Sequence, residues 1–359
     1  MATTDRYAIA IDDTDWSVPG AFPTHFRWEY QDGSDNLLKL YQKGKDRQWD
    51  ATTRIDWSQD LDPENPEGLP DEIIPIFGSD VWAALTPSER ARVRTHFQAW
   101  QLSQFLHGEQ GALVCTAKIV QQVPAMDAKF YAATQVIDEA RHVEAYSRLL
   151  HEKFQLAYPI NPHLRQLLED TLTDSRWDFT YLGMQVLIEG VALAAFGLIR
   201  DQATNPLAQS VTAYVMQDEA RHVAFGRLAL RDYYPQLTDA ERDEREQFVV
   251  EGCYLLRDRF LAEEVWETLG LPVEECKRYV DGSDLMRMYR TSLFTRIVPT
   301  IKDIGLWGPR VRKAYADMDI LGFAEADLDA LAVRDEEIAQ GFDRRRQEIE
   351  RVAALGTAA

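Results

Sequence analysis

Apolar residues recur at intervals of three and four along most of this chain, and no stretch alternates convincingly enough to read as a strand. The pattern predicts a mainly α-helical protein. Residues 35–48 (DNLLKLYQKGKDRQ) read as a short amphipathic helix, and 57–76, with Pro63, Pro66, Pro70 and Pro75, as an ordered loop. Thr86-Pro87-Ser88-Glu89 is a helix start, with Thr at the N-cap, Pro in the first turn and Glu where a capping box needs it. That helix should run to about Val123 and be followed by helices over 126–153, 162–173, 176–202 and 206–233. Thr238-Asp239-Ala240-Glu241 is a second capping box, opening a helix to about 269. Asp281-Gly282 breaks the next pattern, and helices near 284–303, 308–317 and 325–354 complete the chain. The expected organisation is an N-terminal arm over 1–85, irregular in 1–33, a four-helix core over 86–235, and accessory helices of the same domain over 236–359.

The pentapeptide DEARH occurs twice in these helices, as Asp138–His142 and as Asp218–His222, 80 residues apart. Each copy puts a Glu and a His three residues apart, on one helix face. Thirty residues before each motif Glu stands another: Glu109 before Glu139, and Glu189 before Glu219. The midpoints of the two intervals fall at Pro124 and beside Asn205-Pro206, which are turn signals. Each half therefore reads as an antiparallel helix hairpin, with fifteen residues, about 22 Å of helix, from turn to each Glu. All four carboxylates can then converge at one height.

Glu189 lies in Val186-Leu187-Ile188-Glu189-Gly190-Val191-Ala192-Leu193, where apolar neighbours all round imply burial. An unpaired buried carboxylate is costly, and a cation is the natural remedy. A lone Glu-x-x-His is usually a solvated pair. Two identical copies with matched upstream carboxylates instead make Glu109, Glu139, His142, Glu189, Glu219 and His222 the candidate metal ligands and catalytic residues. Mixed carboxylate and imidazole donors suit iron or manganese. Asp138 and Asp218 are candidate acceptors for the remote N–H of each histidine, and Arg141 and Arg221 can pair with them.

This constellation resembles the ferritin-like dimetal-carboxylate superfamily over residues 87–235, most of all the hydroxylase subunits of bacterial multicomponent monooxygenases. The resemblance implies a four-helix bundle holding two iron ions, or iron with manganese, that uses dioxygen as co-substrate to hydroxylate or N-oxygenate a small or medium-sized organic molecule. It also implies an apolar substrate pocket near Gly108, Ala112, Ala192 and Leu193. Leu193 stands where those hydroxylases usually carry a Thr, so proton delivery should differ. Val215 stands where aminobenzoate N-oxygenase relatives carry a seventh ligand, a His. Ala112 and Met184 occupy the positions of the Val–Tyr cross-link of R2-like ligand-binding oxidases, so no such link is expected. Tyr146, one turn after His142, matches the radical-bearing Tyr of ribonucleotide reductase small subunits, although the tail 353–359 has no Tyr to relay a radical. A radical-generating subunit and an acyl desaturase-like oxidase are the alternatives.

Composition narrows the partners. A net charge of −20 argues against nucleic acid and anionic membranes. The apolar stretch 186–199 is interrupted by Glu189 and too short to span a bilayer, and the start MATTDRYAIAIDD has no signal-peptide pattern, so a cytoplasmic location is expected. Cys115, Cys253 and Cys276 have no CxxC spacing and no flavin motif is present, so electrons should come from an external reductase or ferredoxin. A homodimer is compatible with the sequence. Cys115 reads as a core packing residue, His107 as a surface or satisfied core histidine, and Arg344–Arg346 as a solvated face.

Overall fold

The computed structural model describes residues 34–338 together with Ala8, Thr24, Gln340, Gly341 and Arg344. Most of the expected arm over 1–33, the end of the helix expected to reach 354, and Arg345 and Arg346 lie outside the described residues. Within them the protein is helical, with no strand beyond an isolated bridge at Ala157.

A short helix α1 (Asp35–Asp46) precedes the proline-rich segment, which is mostly irregular apart from brief turns such as Asp71–Ile73. Helix α2 (Pro87–Gln122) starts at the expected capping box: Glu89 N–H donates to Thr86 Oγ1 at 3.3 Å and Thr86 N–H to Glu89 Oε2 at 2.8 Å. The turn at Val123–Ala125 reverses the chain into α3 (Met126–Arg148). The crossover helix α4 (Pro162–Thr173) leads to α5 (Trp177–Gln202). Buried Lys118 of α2 donates to the carbonyls of Thr171, Leu172 and Asp174, closing the C-terminal end of α4. Asn205 Oδ1 accepts from Leu207 N–H and Ala208 N–H and caps α6 (Pro206–Tyr233). α2 packs on α3, α5 on α6, and α1 lies against both α3 and α6.

Two π-helical turns interrupt the expected continuity. One, Leu149–Phe154, ends α3 at Gln155 in the left-handed region. The other, Leu182–Ile188, sits in α5 immediately before Glu189. A side chain at Gly183 would overlap Thr171, and a Cβ on Gly226 would come 2.6 Å from Gln185 Cβ. Both glycines thus let this segment approach α4 and α6 closely. Such turns re-aim the residues after them and recur at functional sites. By length and apolarity α5 could cross a membrane, but 78% of its most apolar window is buried in the protein, so that character serves the core.

The helix expected over 238–269 is divided. After α7 (Asp239–Asp258) a 3-10 turn, Arg259–Leu261, ends at Ala262 with φ 50°, and a new helix runs Glu263–Thr268. The expected 284–303 helix is likewise two, Asp284–Ser292 and Ile297–Asp303, while 308–317 is realised as Pro309–Asp317. The helix over 328–338 is tied down by Asp335, which meets Arg296 Nη2 at 2.5 Å and Arg200 Nη1 of α5 at 3.5 Å. The main apolar core draws on α1, the four long helices and the later segments out to Ile320.

Glu67 is completely buried, and neither carboxylate oxygen finds a hydrogen-bond partner among the described residues. Its backbone is used, N–H donating to Gln98 Oε1 at 3.0 Å and C=O accepting from Asn205 N–H at 3.2 Å. Burial pushes the carboxyl from 4.5 up to about 8. The folded state therefore retains a proton that the unfolded chain releases above 4.5, and stability from this group is lost as pH rises through that window. Glu67→Gln should be close to neutral at pH 5 and more stable than the parent by roughly 1–3 kcal/mol at pH 8. Paired thermal melts at the two pH values check this, and an equal shift at both would contradict it.

Candidate metal centre

The hairpins bring all six repeat residues into one dry cluster. Glu109, Glu139, His142, Glu189, Glu219 and His222 are each at most 5% exposed. His142 Nδ1 lies 3.2 Å from Glu109 Oε2, 3.4 Å from Glu139 Oε2 and 3.1 Å from Glu219 Oε1. His222 Nδ1 lies 3.0 Å from Glu139 Oε1 and 3.4 Å from Glu219 Oε1. Two groups of donor atoms result, each within 4.8 Å: Glu109, Glu139, His142 and Glu219 in one, and Glu139, Glu189 and His222 in the other. Glu139 belongs to both.

The pentapeptides support each other crosswise. His142 Nε2 meets Asp218 Oδ2 of the other motif at 3.1 Å, and His222 Nε2 meets Asp138 Oδ2 at 3.3 Å. Each Asp thereby faces the ring nitrogen remote from the glutamates, the contact that fixes which nitrogen carries the proton. Arg141 bridges Asp138 at 2.5 Å and Asp218 at 2.9 Å, and Arg221 bridges Asp218 and, at 3.5 Å, Asp138. α1 leads directly to this lattice: Trp49 Nε1 donates to Asp218 Oδ2 at 2.8 Å, and Gln48 Nε2 to Asp138 Oδ1 at 2.8 Å. Arg141 stacks over the Trp49 ring and donates to Gln48 Oε1. Gln135, one turn before Glu139, donates to Glu139 Oε1 at 2.9 Å and Glu189 Oε1 at 3.1 Å. Sequence reasoning missed these three residues. The i, i+4 spacing was the available signal for Gln135; Gln48 and Trp49 carry none.

The cluster's electrostatics fit cations. Burial, aided by Glu219, pushes the Glu109 carboxyl up to about 8, and burial with Glu219 and Glu139 raises Glu189 well above its ordinary value. Burial opposes ionisation of Glu139 too, yet His222 and His142 hold it below the usual carboxylate range. Asp218 is held well down against its own burial by Arg221, His142 and Arg141. Glu139 Oε2, Glu189 Oε2, both Glu219 oxygens and His222 Nδ1 are buried without a hydrogen-bond partner. Orphaned oxygen and nitrogen donors, crowded and shielded from water, are the chemistry that two first-row ions would satisfy.

A narrow cavity opens on the cluster. Phe105, Gly108, Ala112, Met184, Ala192 and Phe196 wall it, and Glu109, Glu189 and Glu219 reach it. The cavity as it stands has room for about one water, so an organic guest needs its apolar wall to shift. Leu193, expected in the pocket, is instead core: it follows Ala192, about 100° further round the helix, and turns away from the cavity. Tyr146 is fully buried against Phe105 and Phe196, with the Thr212 side chain beside its hydroxyl. Cys115 is buried, and His107 is satisfied by the Tyr158 carbonyl at 2.8 Å.

The profile of the p-aminobenzoate N-oxygenase AurF family matches residues 30–305, well over half of the chain. No curated protein matches. Two variants of the R2-like ligand-binding oxidase with a reconstituted Mn/Fe cofactor share the fold at 18% identity. They superpose with TM-scores of 0.51 and 0.50, over 79% of this chain and 96% of theirs. A Synechococcus protein with aldehyde deformylating oxidase activity aligns at 17% identity and TM-score 0.44, over 64% of this chain and 98% of that one. The family profile thus narrows a superfamily resemblance that pointed first to multicomponent hydroxylases. The chain belongs to the p-aminobenzoate N-oxygenase AurF family and is a ferritin-like, dioxygen-activating dimetal oxygenase.

Proposed function

We propose that Glu109, Glu139, His142, Glu189, Glu219 and His222 are the metal ligands, and that the enzyme inserts oxygen into a small organic substrate, with an amine nitrogen as the first candidate position. The observation that carries the ligand set is the pair of donor groups sharing Glu139. The amine is favoured by the chemistry named for the family. Val215, buried where N-oxygenase relatives are expected to carry a further His, leaves six donors rather than seven, and hydroxylation at carbon is the second outcome to assay. Iron, as Fe/Fe or Mn/Fe, would supply the redox chemistry that activates dioxygen.

The chain's own residues set the conditions. Asp138 and Asp218 hold both imidazoles with their Nδ1 atoms toward the glutamates. Gln135 steadies Glu139 against Glu189 across the hairpins. The apolar wall keeps water from the reacting end of the substrate. Inserting one oxygen atom of dioxygen and releasing the other as water consumes two electrons and two protons. The cysteines are separate and buried, so a reductase or ferredoxin is assigned the electrons. A net charge of −20 disfavours nucleic acid and anionic membranes as partners, and a cytoplasmic location goes with this reading.

Elemental analysis of iron-loaded protein should find about two ions per chain, with at least one lost in Glu189→Ala. Asp218→Ala should weaken metal affinity by about 10–100-fold, because His142 loses its orienting acceptor. Full occupancy in the first variant would overturn the ligand assignment, and unchanged affinity in the second would overturn the orienting role of Asp218.

Tyr146→Phe should keep its metals and its substrate oxidation, because the phenol faces Thr212 and no residue of the cluster depends on its hydroxyl. Oxygen uptake with product analysis, alongside electron paramagnetic resonance, provides the check. A stable tyrosyl radical in the parent, lost in the variant together with all turnover, would transfer the protein to the radical-generating class.

A further inference from the structure

Six arginines in the described residues are buried, and five are neutralised. Arg141 pairs with Asp138 at 2.5 Å, Arg200 with Asp201 at 2.8 Å, Arg221 with Asp218, Arg245 with Asp178 at 2.9 Å, and Arg290 with Asp281 at 3.1 Å. Arg259 is the exception. It opens the 3-10 turn after α7 and is 5% exposed, yet among the described residues no carboxylate pairs with it and no oxygen accepts from its guanidinium; Nε is fully orphaned. It lies over the ring of its neighbour Phe260, 4.8 Å away, and near the neutral phenol of Tyr289.

Its position gives the exception meaning. Arg259 lines the cavity on which Glu109, Glu189 and Glu219 open. Gln104, also in that wall, has its amide committed, accepting from Asn161 N–H at 2.7 Å and donating to the Pro159 carbonyl at 3.1 Å. Arg259 is therefore the cavity's open donor. The C-terminal end of α7 favours a cation nearby, which accounts for the charge being tolerated there but not for an unused fork of N–H groups. Stripping a guanidinium of water without a partner is unfavourable, and the planar fork matches a carboxylate.

We propose that Arg259 anchors a carboxylate on the substrate, so that the enzyme selects anionic molecules and presents their opposite end to the glutamate cluster. This rests on the reading of that cluster as the oxygenase site, since it is the shared cavity that makes an anchored molecule a substrate. Anchoring also opposes what the glutamates alone would do: four carboxylates repel an anion, and a fixed cation in the wall sets which end of the guest faces them. The residue is thus a specificity-determining one, supplied by the segment that follows the bundle.

The test uses benzoate and its neutral isostere benzamide as probes, titrated into iron-loaded protein and followed by ligand-observed NMR or calorimetry. The parent should prefer benzoate by about tenfold or more, the range of a charge-assisted bond. Arg259→Gln should abolish that preference while leaving benzamide affinity unchanged, and Arg259→Lys should retain part of it, since the charge stays and the fork goes. Metal content, measured on each protein, reports on the cluster separately. Normal metal loading without anion preference in the parent overturns the anchor and leaves the oxygenase reading standing; anion preference that depends on Arg259 in a protein that binds no metal supports the anchor and removes that reading. A preference that survives in Arg259→Gln would place the carboxylate on the metals and overturn the anchor. The parent's own selectivity and the Lys variant keep the test decisive if the Gln variant does not fold.

Discussion

Four carboxylates and two imidazoles share one buried interior, and the repulsion among the carboxylates constrains everything around them. Protein groups offset part of it. Arg141 and Arg221 neutralise the two Asp residues, each Asp faces a histidine, and Trp49 and Gln48 close the outer side. Inside that frame several glutamate oxygens stay unpartnered. The lattice therefore stops short of satisfying the glutamates, and that shortfall is the thermodynamic room in which metal affinity arises: ions bound there relieve a penalty the fold already carries.

The crossed pairing also explains why the pentapeptide is repeated whole. A histidine supported within its own helix would need only Glu-x-x-His. Here the Asp of each copy serves the histidine of the other, so Asp138 and Asp218 are each indispensable to the opposite half. The two hairpins are locked in register by the same contacts that orient the imidazoles. Removing one partner of such a buried network costs about 3–5 kcal/mol, so fold and site stand together.

The bundle and the cluster were legible because both rest on local rules. Capping boxes, proline turns and helical spacing place Glu109, Glu139, Glu189 and Glu219 at one height before any tertiary contact is known. What was not legible depends on contacts distant in sequence. The π-turn before Glu189 arises where Gly183 and Gly226 admit neighbouring helices, and apolar periodicity runs through it without a mark. The break at Ala262 occurs at a residue with no preference for the left-handed region, so the expected helix ran on to 269. The resemblance put Leu193 in the pocket, whereas the face that meets the cavity follows Ala192 and Phe196.

The end of α7 bears on how the site is divided. Arg259 continues the buried face of α7, three residues after Leu256 and seven after Gly252, and so reaches the cavity wall where the helix ends. The repeated hairpins supply donors for metals and are symmetric, as a pair of ions requires. The segment after α7 has no counterpart in the repeat and contributes a single unpaired charge. Symmetric chemistry and asymmetric selection thus come from different parts of the chain, and a substrate held at Arg259 has its orientation fixed by the part that the repeat does not constrain.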